Sequence, residues 1–244
     1  MPHPVLIIGA TSDIGRAIAQ IFARHGHNLV LTARDPDALA KDAEDLRLRY
    51  RVAVTEQRLD VLETATLEPF IAALDPLPET AVCVVGLLGD QGTNQGDLTA
   101  ADVVMRSNYN APAMLLAALA NRFEMRRSGV LVGISSVAGD RGRATNYIYG
   151  SAKAGFSAFL SGLRNRLAAT GVHVVTVKPG FVDTKMTAGM RLPPALTAQP
   201  EEVALAVYGA VMKRRDIIYV RPLWCLVMIV IRLIPETLFK KLKI

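Results

Sequence analysis

The sequence predicts an α/β fold: a single doubly wound parallel sheet of about seven strands, helices on both faces, and a C-terminal extension that is apolar and basic. Three observations predict it. Seven short apolar runs recur along the chain, stretches of helix length separate them, and a glycine-containing turn follows the first run directly. Strands so spaced read as β-α-β units, whose crossovers return the chain to the same end of the sheet and so make the strands parallel. At 244 residues, 51% apolar and 20% charged, the chain can bury one large core. Residues 1–220 are read as one catalytic domain and 221–244 as a tail that is not an independent domain, with no repeat, linker or low-complexity segment between them.

The runs are Val5 to Ile8, Asn28 to Thr32, Val52 to Leu59, Ala81 to Val85, Val130 to Ile134, Val172 to Val177 and Ile217 to Val220. The first passes into Gly9-Ala10-Thr11-Ser12-Asp13-Ile14-Gly15 and then the helical stretch Arg16 to Arg24. A glycine turn between a strand and a helix lets backbone N–H groups and the helix N-terminus face a pyrophosphate. Asp13 is expected to cap a helix that starts near Ile14. The second strand ends Ala33-Arg34-Asp35. An arginine there suits the 2′-phosphate of NADP, where an acid would suit the ribose hydroxyl of NAD, so NADP(H) is the expected cofactor and NAD(H) the alternative. Asp35 is expected to N-cap the turn that Pro36 begins.

Tyr149 and Lys153 stand four residues apart, with Ser136 thirteen residues upstream. On a helix, positions i and i+4 share a face, so the Lys153 charge is expected to favour ionisation of the Tyr149 phenol and make it a usable acid. A phenol, an ammonium and a hydroxyl brought together suit protonation of a carbonyl oxygen during hydride transfer.

These blocks resemble the short-chain dehydrogenase/reductase family over about residues 4 to 220, with its Rossmann-type fold. The turn matches the family's Gly-x-x-x-Gly-x-Gly at Gly9 and Gly15, with Asp13 at the middle glycine. Asp60-Val61 matches the adenine-binding pair, and Cys83-Val84-Val85-Gly86 keeps only the glycine of Asn-Asn-Ala-Gly. Asn108, Ser136, Tyr149 and Lys153 match the catalytic positions, and Pro179-Gly180-Phe181-Val182-Asp183-Thr184 matches the nicotinamide cradle. The resemblance implies that Tyr149 is the acid, that Lys153 lowers its pKa and bonds the ribose, and that Ser136 polarises the carbonyl. It further implies that Asn108 holds a water behind Lys153, that Val182 and Thr184 meet the carboxamide and phosphates, and that the protein is a homo-dimer or tetramer. Ser135 is read as structural.

Gly86-Leu87-Leu88-Gly89-Asp90-Gln91 and the tail are similar to the branch of the family that contains the decaprenylphosphoryl 2-keto-pentofuranose reductase. That similarity implies a lipid-linked keto-sugar as substrate. The alternatives are a soluble reductase of 3-oxoacyl-thioesters, steroids or small carbonyls, and, more remotely, a non-catalytic NADP-binding regulator. Apolar residues between Lys185 and Gln199 (Met186, Met190, Leu192, Leu196) suit a greasy substrate or a lid packed on the body.

The net charge of +6 lies wholly in the tail, where residues 211–244 hold eight Lys or Arg against Asp216 and Glu236. Leu223 to Ile231 is an uninterrupted apolar run of nine residues, against the ~20 needed to span a bilayer. Flanked by cations, it suits either peripheral contact of 222–244 with an anionic leaflet or packing on a partner subunit. Basic groups clustered around an apolar run do not suit nucleic acid. Cys83 and Cys225 form no Cys-x-x-Cys pair, so neither a disulfide framework nor a metal site is expected, and a reducing, cytoplasmic setting fits. The apolar run entered at Val5 leaves no room for an export signal. His25 is read as a helix C-cap and His173 as structural.

Overall fold

A computed structural model describes residues 3–242. Its strands are β1 (Val5–Ile8), β2 (Leu29–Ala33), β3 (Val54–Arg58), β4 (Thr80–Cys83), β5 (Gly129–Ile134), β6 (Val172–Pro179), β7 (Phe181–Val182), β8 (Thr197–Ala198) and β9 (Ile217–Val220). Seven of these form one parallel sheet in the order β3-β2-β1-β4-β5-β6-β9, and β7 pairs with β8 apart from it. All seven expected runs are therefore sheet strands. The third is shorter than expected because β3 is an edge strand whose Thr55 is exposed, and its polar Glu56 and Gln57 face no second buried layer.

The helices are α1 (Asp13–Arg24), α2 (Ala40–Tyr50), α3 (Leu67–Ala72), α4 (Gln91–Asn94), α5 (Leu98–Met105), α6 (Ala111–Arg126), α7 (Tyr147–Leu167), α8 (Pro200–Met212), α9 (Leu223–Leu233) and α10 (Glu236–Phe239). Successive strand residues point to opposite faces, and the core divides accordingly. Val5, Ile7, Val82, Val132 and Val175 pack with Ile18, Phe22 and Val207 of α1 and α8. Leu6, Ile8, Ala81, Leu131 and Val174 pack with Leu116, Phe123, Phe156 and Leu160 of α6 and α7.

The chain enters at β1, winds outward to β3, then returns to β4 on the other side of β1, and this reversal opens a crevice beyond the C-terminal strand ends. Val84 N donates to Ile8 O at 2.9 Å there. Gly9 has φ +87°, and a Cβ on it would sit 3.3 Å from Val85 N, so the turn needs glycine on both counts.

The turn after β5 touches α7 backbone to backbone. A Cβ on Gly139 would lie 2.7 Å from Ala154 N, and one on Gly150 would lie 2.9 Å from Ala138 O. The tail is folded onto the same region. Trp224 and Met228 on α9 are buried with Val137, against Phe181, Leu196, Tyr219 and Ile231. Trp224 Nε1 donates to Leu196 O at 2.9 Å, and a Cβ on Gly180 would overlap the Trp224 indole. Arg141 donates to Glu236 Oε2 at 2.5 Å and lies 4.1 Å over the Phe239 ring, tying α10 down as well. The apolar run is thus neither wholly free for a membrane nor for a partner, because its inner face is spent on its own chain. Lys243 lies outside the described residues.

Replacing Gly139 with valine forces the Ser136–Gly139 turn away from α7 and is expected to cost about 3 kcal/mol, or about 6–12 °C in melting temperature. Thermal unfolding followed by circular dichroism measures it; an unchanged melting temperature would show that the contact is slack.

Candidate active site

A cavity of about 270 Å³ opens at the crevice, walled by Thr11, Ser12, Asp13 and Ile14 on one side, Ser136, Tyr149 and Lys153 on another, and Pro179, Gly180, Val182 and Thr184 on a third. A second cavity adjoins it through Thr11, Ser12 and Gly86 and continues past Gly9, Arg34, Asp60 and Val61. Of the residues given a catalytic or cofactor role in the sequence, Gly15 and Asn108 line neither, and each supports one that does, while Leu192 and Leu196 of the apolar stretch also line neither.

Gly15 lies in the first turn of α1, where its N–H is capped by the Ser12 hydroxyl at 3.0 Å. Helix α1 begins at Asp13, one residue before the expected start, and Ser12 rather than Asp13 is its cap. The Asp13 carboxylate instead accepts from Lys185 N at 2.8 Å, joining the glycine turn to the segment after Thr184. Asp35 caps the turn of Pro36–Leu39 as expected, accepting from Asp37 N at 3.1 Å. Asp60 accepts from Leu62 N at 2.9 Å, so its side chain shapes its own turn at the edge of the second cavity.

Asn108 is fully buried in a π-helical turn, Arg106–Asn110, between α5 and α6. Its Nδ2 donates to Leu87 O at 2.6 Å and Val104 O at 2.8 Å, and its Oδ1 accepts from Leu87 N at 3.2 Å. Its amide clamps the loop that follows β4. A Cβ on Gly86 would fall 3.1 Å from Asn108 Oδ1 and 3.5 Å from Lys153 Nζ, so the missing side chain leaves room for both polar groups.

Lys153 is buried, and its Nζ donates to Ile134 O at 3.0 Å. It lies 5.8 Å from the Tyr149 ring centroid. Burial depresses the ammonium to about 8, offset in part by Cys83. Burial also pushes the Tyr149 phenol up to about 12, with the Ser136 hydroxyl pulling the other way. The expectation that Lys153 holds the phenol low is corrected here: burial sets the direction of the Tyr149 shift, with only the Ser136 hydroxyl opposing it, so a proton on Tyr149 is held tightly. Ser136 accepts from Ala138 N at 3.1 Å and donates to Pro179 O at 3.4 Å, which places its hydroxyl between the two loops. Ser135 donates to Lys153 O at 3.0 Å and meets Ser157 Oγ at 2.7 Å, a structural role as the spacing implied.

The walls suit a dinucleotide. The N-terminus of α1 offers donors to a pyrophosphate, Arg34 stands as a cation at the far cavity, and Val182, held by pairing with Ala198, presents backbone beside Tyr149's cavity. His25 Nδ1 bonds Ile21 O at 2.8 Å, and His173 Nε2 bonds Arg215 O at 3.2 Å, both structural partnerships. Among the described residues there is no metal-holding cluster.

Four groups at or just behind the site were not marked in the sequence. Trp224 lines the cavity from α9, hidden in a run that reads as surface-seeking. Arg143 and Asn146 also line it, six and three residues before Tyr149, in a polar loop without a distinguishing pattern. The Asp140 carboxylate, nearly buried, accepts from Lys178 Nζ at 2.5 Å and Tyr219 OH at 2.7 Å, linking the Ser136 turn to β6 and β9. Burial and that carboxylate drive the Tyr219 phenol well above its ordinary range.

A model of the short chain dehydrogenase family matches residues 3–194. An uncharacterized oxidoreductase of Mycobacterium tuberculosis is 38% identical over 245 residues, covering 98% of this chain and 96% of that one. A sulfoacetaldehyde reductase of Chromohalobacter salexigens is 35% identical over 195 residues, covering 77% and 75%. A short-chain dehydrogenase of Sphingobium yanoikuyae solved in complex with NADPH superposes with a TM-score of 0.82 at 30% identity, covering 90% of this chain and 87% of that one. Family match, relatives and sheet order agree, and the chain belongs to the short-chain dehydrogenase family.

Proposed function

We propose that this enzyme reduces a ketone with NADPH, or oxidises the corresponding secondary alcohol, and that Tyr149 exchanges the proton. The observation that carries the reading is the gathering of Ser136, Tyr149 and Lys153 on one wall of a cavity whose opposite wall is the α1 N-terminus. When bound, the reduced dinucleotide supplies the hydride. Arg34 would hold its 2′-phosphate, Asp60 and Val61 its adenine, and Gly9 to Gly15 its pyrophosphate. Val182 would meet the carboxamide and Lys153 the ribose.

The Ser136 hydroxyl donates to the carbonyl oxygen and orients it toward Tyr149. Tyr149 gives up its proton to that oxygen as charge develops there. Enclosure makes the bare phenolate costly, and the buried Lys153 ammonium repays that cost only as the proton leaves. Asn108 keeps the loop at Gly86 in place beside Lys153; a water behind it would return the proton from solvent.

The finer reading concerns the substrate. Leu226, Val230 and Leu233 point outward from α9 at 60%, 57% and 76% exposure, beside exposed Arg232, Lys240 and Lys241. Met186 and Met190 are exposed at the cavity wall. An anionic lipid surface suits such an apolar and basic rim, with the cations in reach of headgroups and the apolar row in the interface. No described helix is long and apolar enough to cross a membrane. A lipid-linked ketone, with a keto-sugar on a polyprenyl phosphate as the foremost example, would reach Tyr149 from that surface.

Tyr149→Phe is expected to lower kcat by at least a hundredfold while NADPH still quenches the Trp224 fluorescence; full reductase activity in that variant would end the assignment. In the cofactor-free enzyme Lys153 is charged below about 8 and neutral above it. Reductive kcat/KM is therefore expected to be level below pH 8 and to fall as pH rises through it, while Tyr149, near 12, stays protonated. Lys153→Arg should remove that inflection; an inflection that stays in place belongs to another group. On vesicles of phosphatidylglycerol and phosphatidylcholine the protein is expected to float, and Leu226→Ser with Val230→Ser to abolish flotation at an unchanged melting temperature. Failure to float, with a dimer that the double variant splits, would assign the face to a second copy of the chain.

A further inference from the structure

The loop between the Ser136 turn and α7 carries more positive charge than it neutralises. Arg141 is spent on Glu236 and Phe239, and Lys178 is spent on Asp140. Arg143 has no such partner. Its Nε is buried without a hydrogen bond, and burial, unopposed by any carboxylate, lowers its pKa. Three residues on, the Asn146 Oδ1 is also buried and without a partner. Both side chains line the cavity that holds Ser136, Tyr149 and Lys153. Neither touches the second cavity, where Arg34 stands, so they belong to the substrate end rather than the adenosine end.

A half-buried guanidinium whose Nε has neither water nor a counter-ion is costly to keep, and buried polar atoms normally find partners. A ligand that supplies both would repay that cost. The planar fork of arginine matches two oxygens of a phosphate, and an amide oxygen accepts from a hydroxyl.

We propose that Arg143 and Asn146 form a subsite for a phosphate ester carried by the ketone substrate, with a substrate hydroxyl on Asn146. The inference rests on the reductase reading and narrows it: the substrate is a hydroxylated ketone bearing a phosphate ester, held by Arg143 while its carbonyl meets Ser136 and Tyr149. The discrimination is of the kind that polar sites make well, because a substrate lacking the anion leaves the Arg143 Nε buried and unpaired.

The test compares matched ketones by NADPH oxidation. Dihydroxyacetone phosphate is set against dihydroxyacetone in solution, and 1-palmitoyl-dihydroxyacetone phosphate against 1-palmitoyl-dihydroxyacetone in phosphatidylcholine vesicles. In at least one pair the phosphorylated member is expected to have a kcat/KM at least tenfold higher. Arg143→Met should collapse that ratio toward one through KM, and Arg143→Lys should restore part of it. A preference in the soluble pair identifies a free phosphate ester, and one in the vesicle pair alone identifies a lipid headgroup. No preference in either pair, or an equal loss for both members in Arg143→Met, or a loss that appears in the KM for NADPH, would overturn the proposal. Calorimetry with hexyl phosphate keeps the subsite testable apart from turnover. Wild type should bind it at least tenfold more tightly than Arg143→Met, and no difference overturns the subsite. Tight binding without reduction of any of the four ketones would count against the reductase reading instead.

Discussion

The catalytic wall depends on one constraint, the close approach of the Ser136–Gly139 turn to the start of α7. Side chains at residues 139 and 150 would hold the two backbones apart, and glycine at both lets them touch. Ser136 arrives on the turn and Tyr149 and Lys153 on the helix, so that contact brings the hydroxyl and the phenol within reach of each other. Two further bonds tighten it, Ser135 Oγ to Lys153 O and Lys153 Nζ to Ile134 O, both of which tie α7 to the end of β5. A strand, a turn and a helix are thereby locked as one piece, which is how a site keeps its geometry without spending the reacting groups on structure.

That locking explains the electrostatics. Packed beside the turn, the Tyr149 phenol loses solvent, and so does the Lys153 ammonium, so burial raises Tyr149 and lowers Lys153 and their values move apart. The Asp140 carboxylate continues the pattern behind the wall, fixing Lys178 and Tyr219 and so the bases of the loops that carry Gly180 and Trp224. The charges around the site are mostly matched in pairs, and Arg143 stands out against them.

Much of this was legible in the sequence because it is written in local chemistry. The apolar runs gave seven sheet strands, and the spacing of Ser136, Tyr149 and Lys153 held because strand, turn and helix lengths fix it. What was illegible depends on tertiary contacts. Asp13 reads as a cap in sequence, but its acceptor oxygen finds Lys185, 172 residues away. The tail reads as a uniform apolar run because hydropathy has no direction, and only the sheet decides that Trp224 and Met228 turn inward while Leu226 and Val230 turn out. The sign of the Tyr149 shift was misjudged for a related reason: the i, i+4 spacing shows the charge nearby but not the enclosure around it.

Trp224 has a consequence for how the enzyme is made. The last sheet strand, β9, ends at Val220, and the indole that roofs the cavity follows four residues later. The sheet, and with it the wall of Ser136, Tyr149 and Lys153, is therefore complete in the chain without the residue that closes the substrate cavity. The catalytic groups stand on the sheet and the tail closes the chamber over them, so a chain cut short after β9 would resemble the finished one in its sheet and differ in leaving its reacting groups open to water.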